Sequence, residues 1–199
     1  MKTLMITGPV GSGKTLVCRL LRDRGIPVYD CDAGAKTLYE RHPELVETLE
    51  KQLGVGLRTG QGTLDKARLA ALIFSDAAAR RKVNSIVHPA VVNDFNRWCS
   101  DNCGKEWVGI ESALFLSPEA GAALECDAVL YVDASVSIRE QRIISRDRCS
   151  SQQARERIDS QQISPRDSRV SYVLKNEGDE VSLQRQLDYF LKIQNIVNQ

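Results

Sequence analysis

An α/β fold carrying a helical insertion is the class that this sequence predicts. Three observations lead to it. A short apolar run opens the chain and feeds a glycine-rich loop and then a helix. Four further short apolar runs follow, each succeeded by polar or helical sequence. Between the second and third runs, residues 33–105 carry helical signals and no convincing strand.

The first strand is predicted at Thr3 to Thr7, a β-branched apolar run stopped by glycine. From Lys14 the period becomes helical, with Leu16, Val17, Leu20 and Leu21 on one stripe, until Gly25 and Pro27 stop it. Ile26 to Tyr29 is the second strand and ends in Asp30-Cys31-Asp32. The remaining strands are expected at Trp107 to Glu111, Ala128 to Asp133 and Ser171 to Leu174. In the insertion, helices are expected over Ala35 to Leu53, Leu64 to Phe74, Ala77 to Val87 and Ala90 to Cys99, with a glycine-rich loop at 54–62. Capping-box spacing at Ser137/Glu140 and Ser150/Gln153 places helices over Ile138 to Arg146 and Gln152 to Gln162. Val181 to Ile196 reads as a last amphipathic helix.

The chain has 199 residues, of which 42% are apolar, enough for one domain of ordinary size plus an insertion. Lys and Arg number 27 against 26 Asp and Glu, so the net charge of +1 gives no global field to recruit nucleic acid or an anionic membrane. Six cysteines in a chain of this size, with no leader pattern read at its start, are expected to be reduced thiols in a cytoplasmic protein. Cys99 and Cys103 lack a second pair at zinc spacing, since the histidines are His42 and His88. No run approaches the roughly 18 apolar residues that a membrane-spanning helix needs.

Gly8-Pro9-Val10-Gly11-Ser12-Gly13-Lys14-Thr15 has the G-x-x-x-x-G-K-[ST] spacing of a phosphate-binding P-loop. Glycines there let successive backbone N–H groups converge on phosphate oxygens, and the following helix adds the positive end of its dipole. Gly8, Gly11, Ser12, Gly13, Lys14, Thr15 and Leu16 are therefore assigned to ATP, with Lys14 reaching the outer phosphates and the Thr15 hydroxyl offered to Mg²⁺.

Asp30 and Asp32 follow the second strand, where a carboxylate can orient an acceptor hydroxyl and take its proton. A turn or helix N-cap is the competing reading of each. From Ser135 to Arg169 there are eight arginines, five acids and no lysine, a bias that suits bidentate phosphate binding. Arg139, Arg142 and Arg146 fall on one helical face, and Arg142 and Arg146 are assigned to ATP. Arg155 and Arg157 read instead as ion-paired surface residues beside Glu140, Asp147, Glu156 and Asp159. His88-Pro89 reads as a boundary with Pro89 opening a helix.

Together the pieces resemble the dephospho-CoA kinase family of P-loop kinases along nearly the whole chain. The resemblance rests on the loop Gly8 to Thr15, on Gly25 to Asp32 with Ala35-Lys36, and on Ile73-Phe-Ser-Asp76 through Arg80-Arg81 to His88-Pro89. Arg142 to Asp147 and Asn176-Glu177-Gly178 complete it. It implies a three-layer α/β/α P-loop kinase with a parallel five-stranded sheet. The nucleotide-binding core would be residues 1–32, 106–138 and 169–199, the helical acceptor domain 33–105, and a helical lid 139–168. It implies ATP as phosphoryl donor with Mg²⁺ and the ribose 3′-hydroxyl of dephospho-CoA as acceptor; the chain is expected to be a monomer without nucleic-acid or membrane partners.

The resemblance further makes Asp32 the base and gives Lys14 and Arg142 catalytic roles. Asp30, Lys36, Arg80 and His88 join Asp32 on the acceptor side. Three positions depart from the family pattern: Cys31 replaces the alanine of D-A-D, Lys36 stands for arginine, and P-L-L-F-E reads Ser112-Ala-Leu-Phe-Leu116. Any role of that last acid is absent here or filled by Glu111. Two other classes stay open: another P-loop nucleoside or small-metabolite kinase, and a nucleotide-dependent switch. The switch lacks its usual N-K-x-D and a clean Walker B acid, for which Glu111 is the one substitute.

Overall fold

In the computed structural model, residues 1–116, 124–161 and 163–196 are described. The elements run β1 (Lys2–Thr7), α1 (Lys14–Asp23), β2 (Val28–Asp30), α2 (Cys31–Arg41), α3 (Pro43–Leu53), α4 (Lys66–Ser75), α5 (Ala77–Asp101), β3 (Trp107–Glu111), β4 (Ala128–Asp133), α6 (Val136–Asp147), α7 (Ser151–Asp159), β5 (Tyr172–Lys175) and α8 (Glu180–Ile193). The strands form one five-stranded sheet in the order β2-β3-β1-β4-β5. β1 pairs in parallel with β3 and β4, Met5 lying opposite Ile110 on one side and Val129 on the other, and β4 pairs in parallel with β5. The predicted parallel α/β architecture is therefore the observed one, and strands β3 and β4 match their expected bounds residue for residue.

Strands in such a sheet are buried on both faces, so they read as continuous apolar runs rather than alternating ones. Leu4, Met5 and Ile6 are all buried, as are Ala128 through Val132. On one face Leu4, Ile6, Leu130 and Val132 pack with Val17, Leu20 and Leu21 of α1 and with Leu183, Leu187, Phe190 and Leu191 of α8. α1 forms because that stripe recurs at helical spacing, and it ends where the Gly25 N–H bonds the Arg22 carbonyl at 2.9 Å.

The chain divides into two compact units. The first holds the sheet with α1, α6, α7 and α8; the second comprises residues 30–101 and, of the later described residues, 124. Within the second, α2, α3 and α4 each pack on the 25-residue α5.

Three local expectations are corrected. The helix expected from Ala35 to Leu53 is two helices, because His42 precedes Pro43 and is held out of the helical region at φ −125°, ψ 76°; Pro43 then opens α3. His88-Pro89 is no boundary, since α5 runs through it. An internal proline gives up a backbone hydrogen bond and costs about 3 kcal/mol. Ala79, Val83, Val87, Val91, Phe95 and Cys99 nevertheless keep one buried stripe at four-residue spacing across it, and that packing outweighs the local penalty. Third, Ser135 rather than Ser137 precedes α6 and makes no side-chain cap. The capping box at Ser150 and Gln153 is present, but α7 ends at Asp159, and Gln162 lies outside the described residues.

Phe190 is fully buried between α8 and the sheet, its ring 5.3 Å from that of Tyr172. Phe190→Ala should destabilise the protein by about 3–5 kcal/mol, read as a lower urea midpoint at unchanged slope; a loss under 1 kcal/mol would contradict this account of the core.

Candidate active site

β1 ends at Thr7 and the chain turns at once into the glycine loop, which α1 closes from Lys14. All three loop glycines are forced by their surroundings, Gly8 and Gly13 most tightly. Any side chain at Gly8 would begin 2.2 Å from the Val132 carbonyl oxygen of β4. Gly13 has φ +97°, and a Cβ there would lie 2.1 Å from Asn176 Nδ2. The loop is thus pressed onto the ends of β4 and β5.

The loop is also held by side chains distant in sequence, of which Arg142 alone is assigned to this site by the sequence. Arg142 of α6 donates through Nη1 to the carbonyls of Gly11 (3.3 Å) and Ser12 (3.2 Å), and through Nη2 to the Asn176 carbonyl (3.0 Å). Asn176, immediately after β5, donates from Nδ2 to the Ser12 carbonyl at 2.8 Å. The Val10 N–H donates to Gln161 Oε1 at 2.6 Å, while the Val10 side chain packs on the small cluster of Ile143, Ala154 and Ile158 that joins α6 to α7. More than 130 residues separate Asn176 or Gln161 from the loop, so neither contact has a local sequence signal.

Lys14 Nζ curls back over the loop, donating to the carbonyls of Gly8 (2.9 Å) and Pro9 (3.3 Å). It lies 3.9 Å from Glu111 Oε1 at the end of β3, both side chains being largely buried. Glu111 is therefore the carboxylate beside the loop, whereas Leu116 is buried and apolar. Thr15 is exposed in the first turn of α1. A cleft of about 600 Å³ opens here, lined by Gly13, Lys14, Thr15, Leu16, Arg142 and Arg146 among others.

The arginine-rich stretch divides by partner. Arg142 and Arg146 line the cleft, as expected of that face, but Arg139 does not; its Nε is buried without a hydrogen-bond partner. Arg146 bonds both Asp147 oxygens, at 2.7 and 3.0 Å, and Arg157 pairs with the same carboxylate. Arg155 pairs with Glu140 at 3.0 Å. The Arg146 hydrogen bonds and the charges of Arg146 and Arg157 hold Asp147 below the usual carboxylate range, and Asp147 in turn raises the Arg146 guanidinium.

The residues assigned to the acceptor sit in the second unit. Asp30 accepts from the Ala33 N–H at 2.9 Å and so caps α2. Asp32 and Lys36 are exposed on α2, and Arg80 and His88 are half-buried two helical turns apart on α5.

A P-loop between the central strand and first helix of a parallel 2-3-1-4-5 sheet, with arginines of α6 facing the same cleft, defines a kinase of the P-loop class. Comparison with known proteins agrees. The family model for dephospho-CoA kinase matches residues 3–181. A dephospho-CoA kinase of Porphyromonas gingivalis is 42% identical over 162 residues, covering 81% of this chain and 78% of that one. That of Deinococcus radiodurans is 37% identical over 195 residues, covering 96% and 91%. Among solved structures, TT1252 from Thermus thermophilus superposes with a TM-score of 0.80 at 30% identity over 96% of this chain and 97% of its own. A dephospho-CoA kinase from Campylobacter jejuni shares the fold at a TM-score of 0.65 and 20% identity, over 97% of each chain. This chain belongs to the dephospho-CoA kinase family.

The ion pairs of α6 and α7 carry a pH signature. Asp147 has its folded pKa lowered, so its stabilisation is complete above the ordinary carboxylate range of about 4 and is lost as pH falls through the lower folded value. The melting temperature should drop between pH 6 and pH 3, and Asp147→Asn should lower it at pH 6 while flattening part of that drop; an unchanged pH profile in the variant would refute the assignment.

Proposed function

We propose that this protein transfers the γ-phosphoryl group of ATP to the ribose 3′-hydroxyl of dephospho-CoA, giving ADP and coenzyme A, the last step of coenzyme A biosynthesis. The observation that carries the reading is the braced P-loop with Lys14 and Arg142 at one cleft, in a chain that matches the dephospho-CoA kinase family over residues 3–181.

The loop amides and the N-terminus of α1 take up the phosphates, Gly8, Gly11, Ser12, Gly13, Lys14, Thr15 and Leu16 forming the wall. Lys14 leaves the Gly8 and Pro9 carbonyls for the outer phosphates, which offer the ammonium a full charge in place of carbonyl dipoles. Arg142 and Arg146 add cationic charge from α6. Asp32 accepts the proton of the 3′-hydroxyl as the new O–P bond forms. The bond from the γ-phosphorus to its bridging oxygen breaks, and its electron pair leaves with ADP. Residues 33–105 form the acceptor domain, with Asp30, Lys36, Arg80 and His88 beside Asp32, and residues 139–168 act as the lid over the core of 1–32, 106–138 and 169–199.

The residues present suit Mg²⁺. It favours oxygen ligands and keeps several waters, and the Thr15 hydroxyl stands exposed at the cleft with the Glu111 carboxylate at the end of the neighbouring strand. Thr15 would hold the ion directly, with phosphate oxygens and water completing its shell, and the ion supplies charge neutralisation on the phosphates. The protein works in this reading as a cytoplasmic monomer without nucleic-acid partners. No helix among the described residues is long and apolar enough to cross a membrane.

Phosphorylation assays with dephospho-CoA, adenosine, shikimate and nucleoside monophosphates test the acceptor. Dephospho-CoA should be used at rates well above the others, and comparable rates would overturn the acceptor assignment. Lys14→Ala should cut turnover by about 100-fold or more. Asp32→Asn should lower kcat sharply with ATP affinity unchanged; a fully active Asp32→Asn protein would remove Asp32 from the role of base.

A further inference from the structure

Asn176 has no part in the transfer step proposed above, yet its side chain is buried against the phosphate loop. It is 4% exposed and follows β5 directly. Its backbone is fixed independently of its side chain: the N–H donates to the Asp133 carbonyl at 2.7 Å, and its own carbonyl accepts from Arg142. Its side chain is then fixed in orientation, because Oδ1 accepts from Arg142 Nη2 at 3.4 Å while Nδ2 donates to the Ser12 carbonyl at 2.8 Å.

The consequence lies in peptide geometry. The Ser12 carbonyl and the Gly13 N–H belong to one planar trans peptide, so they point in opposite directions. Two donors, Asn176 Nδ2 and Arg142 Nη1, grip the Ser12 oxygen from one side. The Gly13 N–H is thereby turned to the opposite side. The same peptide is shaped to admit the carboxamide: Gly13 is at φ +97°, and any Cβ there would overlap Nδ2. Loop and carboxamide are a matched pair.

We propose that Asn176 is a positioning residue for the donor nucleotide, its carboxamide locking the Ser12–Gly13 peptide so that the Gly13 N–H is preset toward the phosphates. The inference rests on the nucleotide reading of the cleft. Without the carboxamide the peptide can rotate, and binding phosphate must then order it again. Asp at this position is the sharper perturbation, because it keeps the volume but sets a carboxylate oxygen against the Ser12 carbonyl.

The test uses ADP as the probe, titrated by calorimetry into the full-length protein and its Asn176→Ala and Asn176→Asp variants. Losing one buried hydrogen bond should raise the ADP dissociation constant by about 10-fold in Asn176→Ala and by more in Asn176→Asp. The KM for dephospho-CoA should stay within about two-fold, since the residue does not touch the acceptor. Amide exchange of the loop peptide spanning residues 8–15 should quicken without nucleotide, a change that a packing role elsewhere would not produce. ADP affinity within two-fold of wild type in both variants would overturn the proposal alone. Equal loss for both substrates, or failure of both variants to fold, would also overturn it, by showing a structural role. Wild-type protein that binds no ADP would overturn the nucleotide reading together with it.

Discussion

Parallel strand pairing is the constraint from which this site follows. Because β1, β3, β4 and β5 run the same way, their carboxyl ends at Thr7, Glu111, Asp133 and Lys175 emerge along one edge of the sheet. Everything that shapes the phosphate loop is delivered there: Glu111 from β3, the Val132 carbonyl from β4, and Asn176 one residue past β5. An antiparallel partner on either side of β1 would put the start of a strand there instead. The central place of β1, buried along most of its length, makes that edge rigid enough to hold backbone groups in fixed directions.

The loop itself is unusual backbone, and it persists because its surroundings over-determine it. A glycine with positive φ is tolerated anywhere, but the Ser12–Gly13 peptide is held at its oxygen by two donors and at its α-carbon by a close approach that leaves no room for a side chain. Val10 is tied down separately, through its N–H to Gln161 and through its side chain to the apolar cluster of α6 and α7. A loop gripped from outside in this way leaves its inner amides to a ligand, and ordering them then costs little at the moment of binding.

Charge is apportioned by the same packing. Lys14 and Glu111 meet within the largely buried end of the sheet, where a lone ammonium would be costly, and the Gly8 and Pro9 carbonyls share the cation. The arginines of α6 and α7 are chemically alike yet do different work. Arg142 spends its guanidinium on backbone carbonyls of the loop, Arg146 keeps a carboxylate partner while lining the cleft, and Arg155 and Arg157 are surface ion pairs.

The P-loop, the five strands, the division between α/β and helical segments and the family membership were all legible in the chain. Each depends on short-range features: runs of β-branched residues, glycine and lysine at set spacing, and changes of period. The cap at Ser150 was legible for the same reason. What local pattern misjudged were the places where two local rules compete or where packing overrides one. Pro43 breaks a helix that composition alone continues, and Pro89 fails to break one because the buried stripe of α5 runs past it. Strand order, the meeting of Glu111 with Lys14 and the grip of Asn176, Arg142 and Gln161 on the loop belong to tertiary structure alone. They join residues as many as 164 positions apart, and only the parallel sheet, by aligning its strand ends, brings such residues within hydrogen-bonding reach.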